Sequence, residues 1–189
     1  MISNAKKSLY PKGEDYEGVS HLSHQDFTSL PPEARYIHTT ISQDGIRVVV
    51  TMIPAAARYF HEVNHVMMDN TYKRVKGDFN EWEVTLQLPN QRITASRVYC
   101  NRQDHHAFGM MYTYLFETIN RLSGKPLRFK KLDPSGTLAA IILDADAAQA
   151  LGLGQFLITQ NNPLETGIPN EPYALVACVV KICRVHYFR

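Results

Sequence analysis

Two apolar runs that each end in an aspartate carry the residues able to do chemistry in this chain. The first is His65-Val66-Met67-Met68-Asp69, continuing as Asn70-Thr71-Tyr72. The second is Leu138-Ala139-Ala140-Ile141-Ile142-Leu143-Asp144, whose Asp lies 75 positions further on (144 − 69). Runs of this kind predict strands buried on both faces of a sheet. An Asp at the end of such a strand is partly desolvated, and its charge is costly unless something offsets it. Two of them on adjacent central strands repel unless a cation lies between. That is the arrangement of two-metal phosphoryl transfer, in which Mg²⁺ ions ~3.5–4 Å apart clamp the attacking and leaving oxygens. Taken singly, either Asp reads as the cap of the turn or helix that follows it. The pair, and the elements between its members, favour the metal.

Those elements are legible in order. Ile46 to Met52 is β-branched and predicts a strand, and Pro54 suits the first turn of a short helix over Ala55 to Val63. The first central strand follows at about Val66 to Tyr72. Glu81 to Leu88 alternates, with Trp82, Val84, Leu86 and Leu88 on one face, so it predicts a strand with one covered face. Pro89-Asn90-Gln91 makes a turn, and Arg92 to Cys100 reads as the antiparallel partner. Asp104 caps a long helix whose apolar stripe is Phe108, Met111, Tyr112, Leu115, Ile119 and Leu122; Gly124 and Pro126 end it. The strand to Asp144 comes next, then a helix capped by Asp146 and weakened by Gly152 and Gly154. Tyr173 to Arg189 is ambiguous between strand and helix. The order is β-β-β-α-β-α, and the long helix is a crossover that lets strand four return parallel beside strand one. Residues 1–45 read as a polar, loosely structured N-terminal arm, and 46–189 as the folded domain.

Composition sets the outer limits. A chain of 189 residues with 44% hydrophobic and 20% charged residues is expected to fold as one domain with a sizeable core. Its net charge of +2 does not by itself argue for a nucleic-acid partner. Basic residues cluster locally as Lys73, Arg74 and Lys76, and again around Lys130 and Lys131, where they could track a phosphate backbone. Three cysteines argue for reduced thiols and an intracellular protein, nuclear or cytoplasmic. No signal peptide and no run of membrane-spanning length is expected. Cys183 and His186 form a C-x2-H, a spacing that alone falls short of a four-ligand zinc site.

Taken together, these residues resemble a known family. The order of elements, with an Asp on strand one and another on strand four, resembles the ribonuclease H-like catalytic core of DDE transposases. Asp69-Asn70-Thr71-Tyr72-Lys73 resembles the D-x-T-Y segment of Mutator-like (MULE) transposases, and Ile142-Leu143-Asp144 with the helix after it resembles their second-Asp segment. Cys183 and His186 match a C-x2-H that follows the second Asp in Mutator-like and hAT transposases. The resemblance covers roughly residues 60–189. It implies a ribonuclease H-like mixed sheet, incomplete at its C-terminal side, and DNA, the transposon ends, as the partner. It implies that Asp69 and Asp144 are catalytic and hold Mg²⁺ or Mn²⁺, with Asp146 as the lesser substitute for Asp144. Cys183 and His186 would support the site. The family's third acid, a Glu on a later helix, has no counterpart in this sequence, and Glu165 and Glu171 do not fit its position.

The leading expectation is therefore a transposon-derived domain whose ancestral chemistry is metal-dependent DNA strand cleavage and transfer, inactive or partial as it stands. The alternative is a domesticated, non-catalytic domain that binds DNA or a protein, with self-association possible. A nuclease of the same fold acting on RNA–DNA hybrids would have no use for the C-x2-H.

Overall fold

The computed structural model describes residues 12–13, 15–71, 77–144 and 146–182. Seven strands form one mixed sheet: β1 Ile37–Gln43, β2 Ile46–Met52, β3 His65–Thr71, β4 Asn80–Leu88, β5 Gln91–Cys100, β6 Ala140–Leu143 and β7 Val180–Ile182. Their spatial order is β1-β2-β5-β4-β3-β6-β7. The first five pair antiparallel, whereas β6 runs parallel to β3 and β7 parallel to β6. The helices are α1 Tyr16–Ser29, α2 His105–Ser123, α3 Ala147–Ile158, α4 Pro163–Thr166 and α5 Pro172–Val179, with 3-10 turns at Pro32–Ala34 and Pro54–His61.

Alternation along the strands separates two faces. Val50, Val98 and Trp82 lie in one cross-strand row, and Met52, Ser96, Val84 and Met68 in the next. Both rows are buried, and the apolar stripe of α2 belongs to the same core. Trp82 meets Phe108 of α2 edge to face, at 5.5 Å between ring centres and 84° between planes. The crossover helix begins at the Asp104 cap, whose Oδ1 accepts from the backbone N–H of His106 and Ala107 at 3.1 Å. It ends at Gly124, where φ is 75°.

One expectation needs correction and one ambiguity is resolved. The stretch read as a loose arm contains α1 and β1. The turn Asp44-Gly45 has φ of 52° and 74°, a two-residue hairpin geometry that joins β1 to β2 with the strand twist. α1 was hidden because its apolar pattern is weak; only Tyr16 and Gly18 on it are buried. The C-terminal stretch is both of the things it could have been, a helix and then a short strand. The central strands are covered on the helix side, whereas Met67 and Ile142 on the opposite face are only half-buried. Val66, Met68, Ile141 and Leu143 are all buried, under α2, α3 and α5.

Gly152 has a packing reason that helix propensity does not suggest. A Cβ there would sit 2.4 Å from Phe108 Cβ and 2.6 Å from the His105 carbonyl oxygen. Propensity favours Ala by about 1 kcal/mol, but overpacking against a backbone costs about 1–3 kcal/mol. Gly152→Ala should therefore lower the denaturant midpoint, and a raised midpoint would refute this crossing.

Three histidines hold their pKa values below the ordinary one, first by burial. Arg121 adds to this at His38, Lys125 at His61, and Lys181 and Lys130 at His65. The folded state thus binds these protons less readily than the unfolded chain, where His titrates near about 6.5. Their contribution is fully present above that pH and is lost as pH falls through the folded values. Urea midpoints should drop between pH 7.5 and 5.5; equal midpoints would contradict this.

Candidate functional site

β3 and β6 pair in parallel through His65↔Ala140, Val66↔Ile141 and Met67↔Ile142. Two residues further along the same offset come Asp69, inside β3, and Asp144, just past the end of β6. Both are partly buried. Partners in a register row share a face, so Met67 and Ile142 mark the side of the sheet away from α2. Asp69, two positions after Met67, is on that side, and alternation carries Asp144 to it as well.

The N-cap of α3 is Asp146 rather than Asp144. Asp146 Oδ1 accepts from the Gln149 backbone N–H at 2.6 Å and so caps α3. This commits Asp146, the expected substitute, to a structural role.

Two acids that sequence reasoning passed over share this face. Asp69 is opposite Glu83 on β4, and Glu83 is opposite Arg97 on β5. Like charges directly across a ladder destabilise it, and Arg97 offsets this. Its Nε lies 3.0 Å from Glu81 Oε1 and its Nη2 3.4 Å from Glu83 Oε1. Glu81 is 6% exposed, so the Arg97 pair is what makes its charge tolerable there. Arg97 itself is raised above its ordinary pKa, first by donating to the Tyr36 hydroxyl at 3.3 Å. The alternation of Glu81, Glu83 and Thr85 with the apolar row is the signal in the sequence that sets these acids on the face of Asp69.

No group of three or more His, Cys, Asp or Glu side chains placed to hold a metal ion occurs among the described residues. A cation on this face would have Asp69 and Asp144 as its candidate donors. Two hard carboxylates fit Mg²⁺ or Mn²⁺, since Mg²⁺ is commonly held by one or two carboxylates together with waters and phosphate oxygens.

The basic residues divide. Lys130 donates to Asn64 Oδ1 at 2.7 Å, at the end of β3 opposite to Asp69. Five residues of strand separate them, roughly 16 Å, so Lys130 and its neighbour Lys131 are not gathered at the aspartates. Lys73, Arg74, Lys76, Cys183 and His186 lie outside the described residues.

No kinship narrows this further. The chain matches no family model, and no curated protein or solved structure is significantly similar to it. No described helix is long and apolar enough to cross a membrane. What the site can do follows from its chemistry, which is two oxygen donors at the end of a parallel strand pair, flanked by an arginine-held acidic row.

Proposed function

We propose that the chain is a ribonuclease H-like domain resembling the core of a Mutator-like transposase, which engages DNA through one divalent cation held by Asp69 and Asp144. The observation that carries this reading is the parallel pairing of β3 with β6, which brings the two aspartate-ended runs to the same end of neighbouring central strands. The stretch β5-β4-β3-β6-β7, an antiparallel meander followed by two parallel strands, supports the fold assignment.

The chemistry that a bound Mg²⁺ or Mn²⁺ supplies is charge stabilisation at a phosphodiester and activation of a water or 3′-hydroxyl. The residues of this chain do the rest. Asp69 and Asp144 would bind and orient, and Arg97, paired with Glu81 and Glu83, offsets one of their two charges and so lessens the repulsion of a polyanion on the face next to the aspartates. Holding two ions at once needs more carboxylate charge than this pair offers. Strand transfer is accordingly not expected, and a non-catalytic DNA-binding role remains the second reading.

A cleavage and joining assay on DNA duplexes with Mg²⁺ and with Mn²⁺ tests this, together with DNA binding in each metal and in EDTA. Metal-dependent binding that is lost in Asp144→Ala, without joined product, is expected. Joining that disappears in Asp144→Ala would overturn the one-ion reading. Binding indifferent to metal would overturn the site.

A further inference from the structure

On the same face of the sheet, a cavity of about 430 Å³ opens between α1 and strands β2 and β5. Four aromatic rings line it: Tyr16, Tyr36, Phe79 and Tyr99. We propose that this cavity is a nucleobase subsite, seating one unstacked base of a single DNA strand that runs across the sheet past the aspartate pair.

Its size falls within the range of small-ligand pockets. Ring orientation decides what kind of ligand fits. Tyr16 and Phe79 are parallel to within 3°, with their centres 6.3 Å apart. That spacing is too close to admit a ring between them; the two form a stacked pair, onto which a further flat ring can add at the half-buried Phe79. A cage for a compact methylated ammonium instead needs ring faces converging on one point. Every base has a π-face, so stacking of this kind is tolerant of sequence.

Polar groups add direction. Arg47 lines the cavity with its guanidinium 5.4 Å from the Tyr16 ring centre. It is exposed, so it can meet a phosphate while Phe79, the less buried member of the stacked pair, takes the base. Asp15 and Asp78 also reach the cavity, and they turn the sugar-phosphate chain toward the Arg47 side. Asp15 is already used as the cap of α1, its Oδ1 accepting from the Gly18 N–H at 3.2 Å. Burial and then Glu81 push the Tyr99 hydroxyl up to about 12, so it stays protonated and keeps its hydrogen bond to Thr51 in the cavity wall.

Position links the cavity to the metal site. Tyr99 is opposite Glu81, and Glu81 is opposite Thr71, two residues beyond Asp69 on β3. The cavity wall thus lies two strand spacings from β3, roughly 10 Å. That is a span one or two nucleotides can bridge from a phosphate at the aspartates. The direction of the strand rests on the proposed function; the presence of the subsite does not.

The test is therefore made in EDTA, where the cation site plays no part. The probes are a fluorescein-labelled ten-nucleotide oligothymidylate and a strand of the same length and charge made of abasic sugar-phosphate units. The protein should bind the base-bearing strand about tenfold or more tightly than the abasic one, as stacking of a single base implies. Phe79→Leu, which keeps apolar bulk and removes the ring, should erase that preference and leave abasic binding unchanged. In the unmutated protein, NMR should show transfer of magnetisation from Phe79 ring protons to the thymine methyl, a readout that requires no variant to fold. Equal affinity for the two strands, a preference that survives Phe79→Leu, or displacement of the strand by tetramethylammonium would each overturn the proposal. Base preference without metal binding would sink the proposed function and keep the subsite. Metal binding without base preference would do the reverse.

Discussion

Trp82→Ala should lower the unfolding free energy by about 3–5 kcal/mol, the usual loss when a large buried aromatic is truncated. Trp82 has no exposed surface. It stands in the register row that joins Val50, Val98 and Asn70 across four strands, and its ring carries the edge-on contact to Phe108. Truncation therefore leaves a void where the crossover helix meets the middle of the sheet, bordered by β-sheet backbone that has little freedom to collapse. Guanidinium unfolding of the parent and the variant measures the effect. Trp82→Phe, which keeps the aromatic contact, should recover much of the loss. A loss below about 1 kcal/mol for Trp82→Ala would mean that α2 does not seat on this row.

Much of that core could be read from the sequence because two periodicities coincide on it. The two-residue alternation of Trp82, Val84, Leu86 and Leu88 and the helical spacing of Phe108, Met111, Tyr112 and Leu115 describe surfaces that bury each other. The boundaries of α2 followed from Asp104 and Gly124, whose roles are local and chemical. Residues 16–43 were obscured for the opposite reason. α1 covers the sheet with few apolar side chains, and β1 is only partly buried along its length, so neither element repeats a strong pattern. The hairpin did leave a trace in Asp44-Gly45, a dipeptide suited to a two-residue turn. The polar stretch around it nonetheless reads as loop.

The site was legible in part. An apolar run ending in a carboxylate is a local pattern, and Asp69 and Asp144 both carry it. Their common face depends on the register between β3 and β6, which alternation within either run alone does not fix. The acidic row of Glu81 and Glu83 was missed because nothing in the sequence links those residues to Arg97. Only the antiparallel pairing of β4 with β5 sets Glu83 opposite Arg97 and Tyr99 opposite Glu81. The aromatic cavity is still less visible, since its rings come from four separate segments.

Asp69→Asn should weaken binding of Mg²⁺ or Mn²⁺ by at least about tenfold, since it removes one of two charged donors from a small, strongly hydrated ion. The substitution is nearly isosteric, so any hydrogen bond Asp69 makes can be kept in part and the strand should survive. Asp144→Asn should do the same, although Asp144 comes from a different strand and does not cap α3. Asp146→Asn, by contrast, retains a capping side chain and should leave affinity for the ion nearly unchanged. The sharpest measurement is a calorimetric titration of Mn²⁺ into the parent chain, Asp69→Asn, Asp144→Asn and Asp146→Asn at one ionic strength. The account predicts one ion per chain for the parent and for Asp146→Asn, and its loss in both of the other variants. Identical isotherms for all four proteins, or loss only in Asp146→Asn, would contradict it.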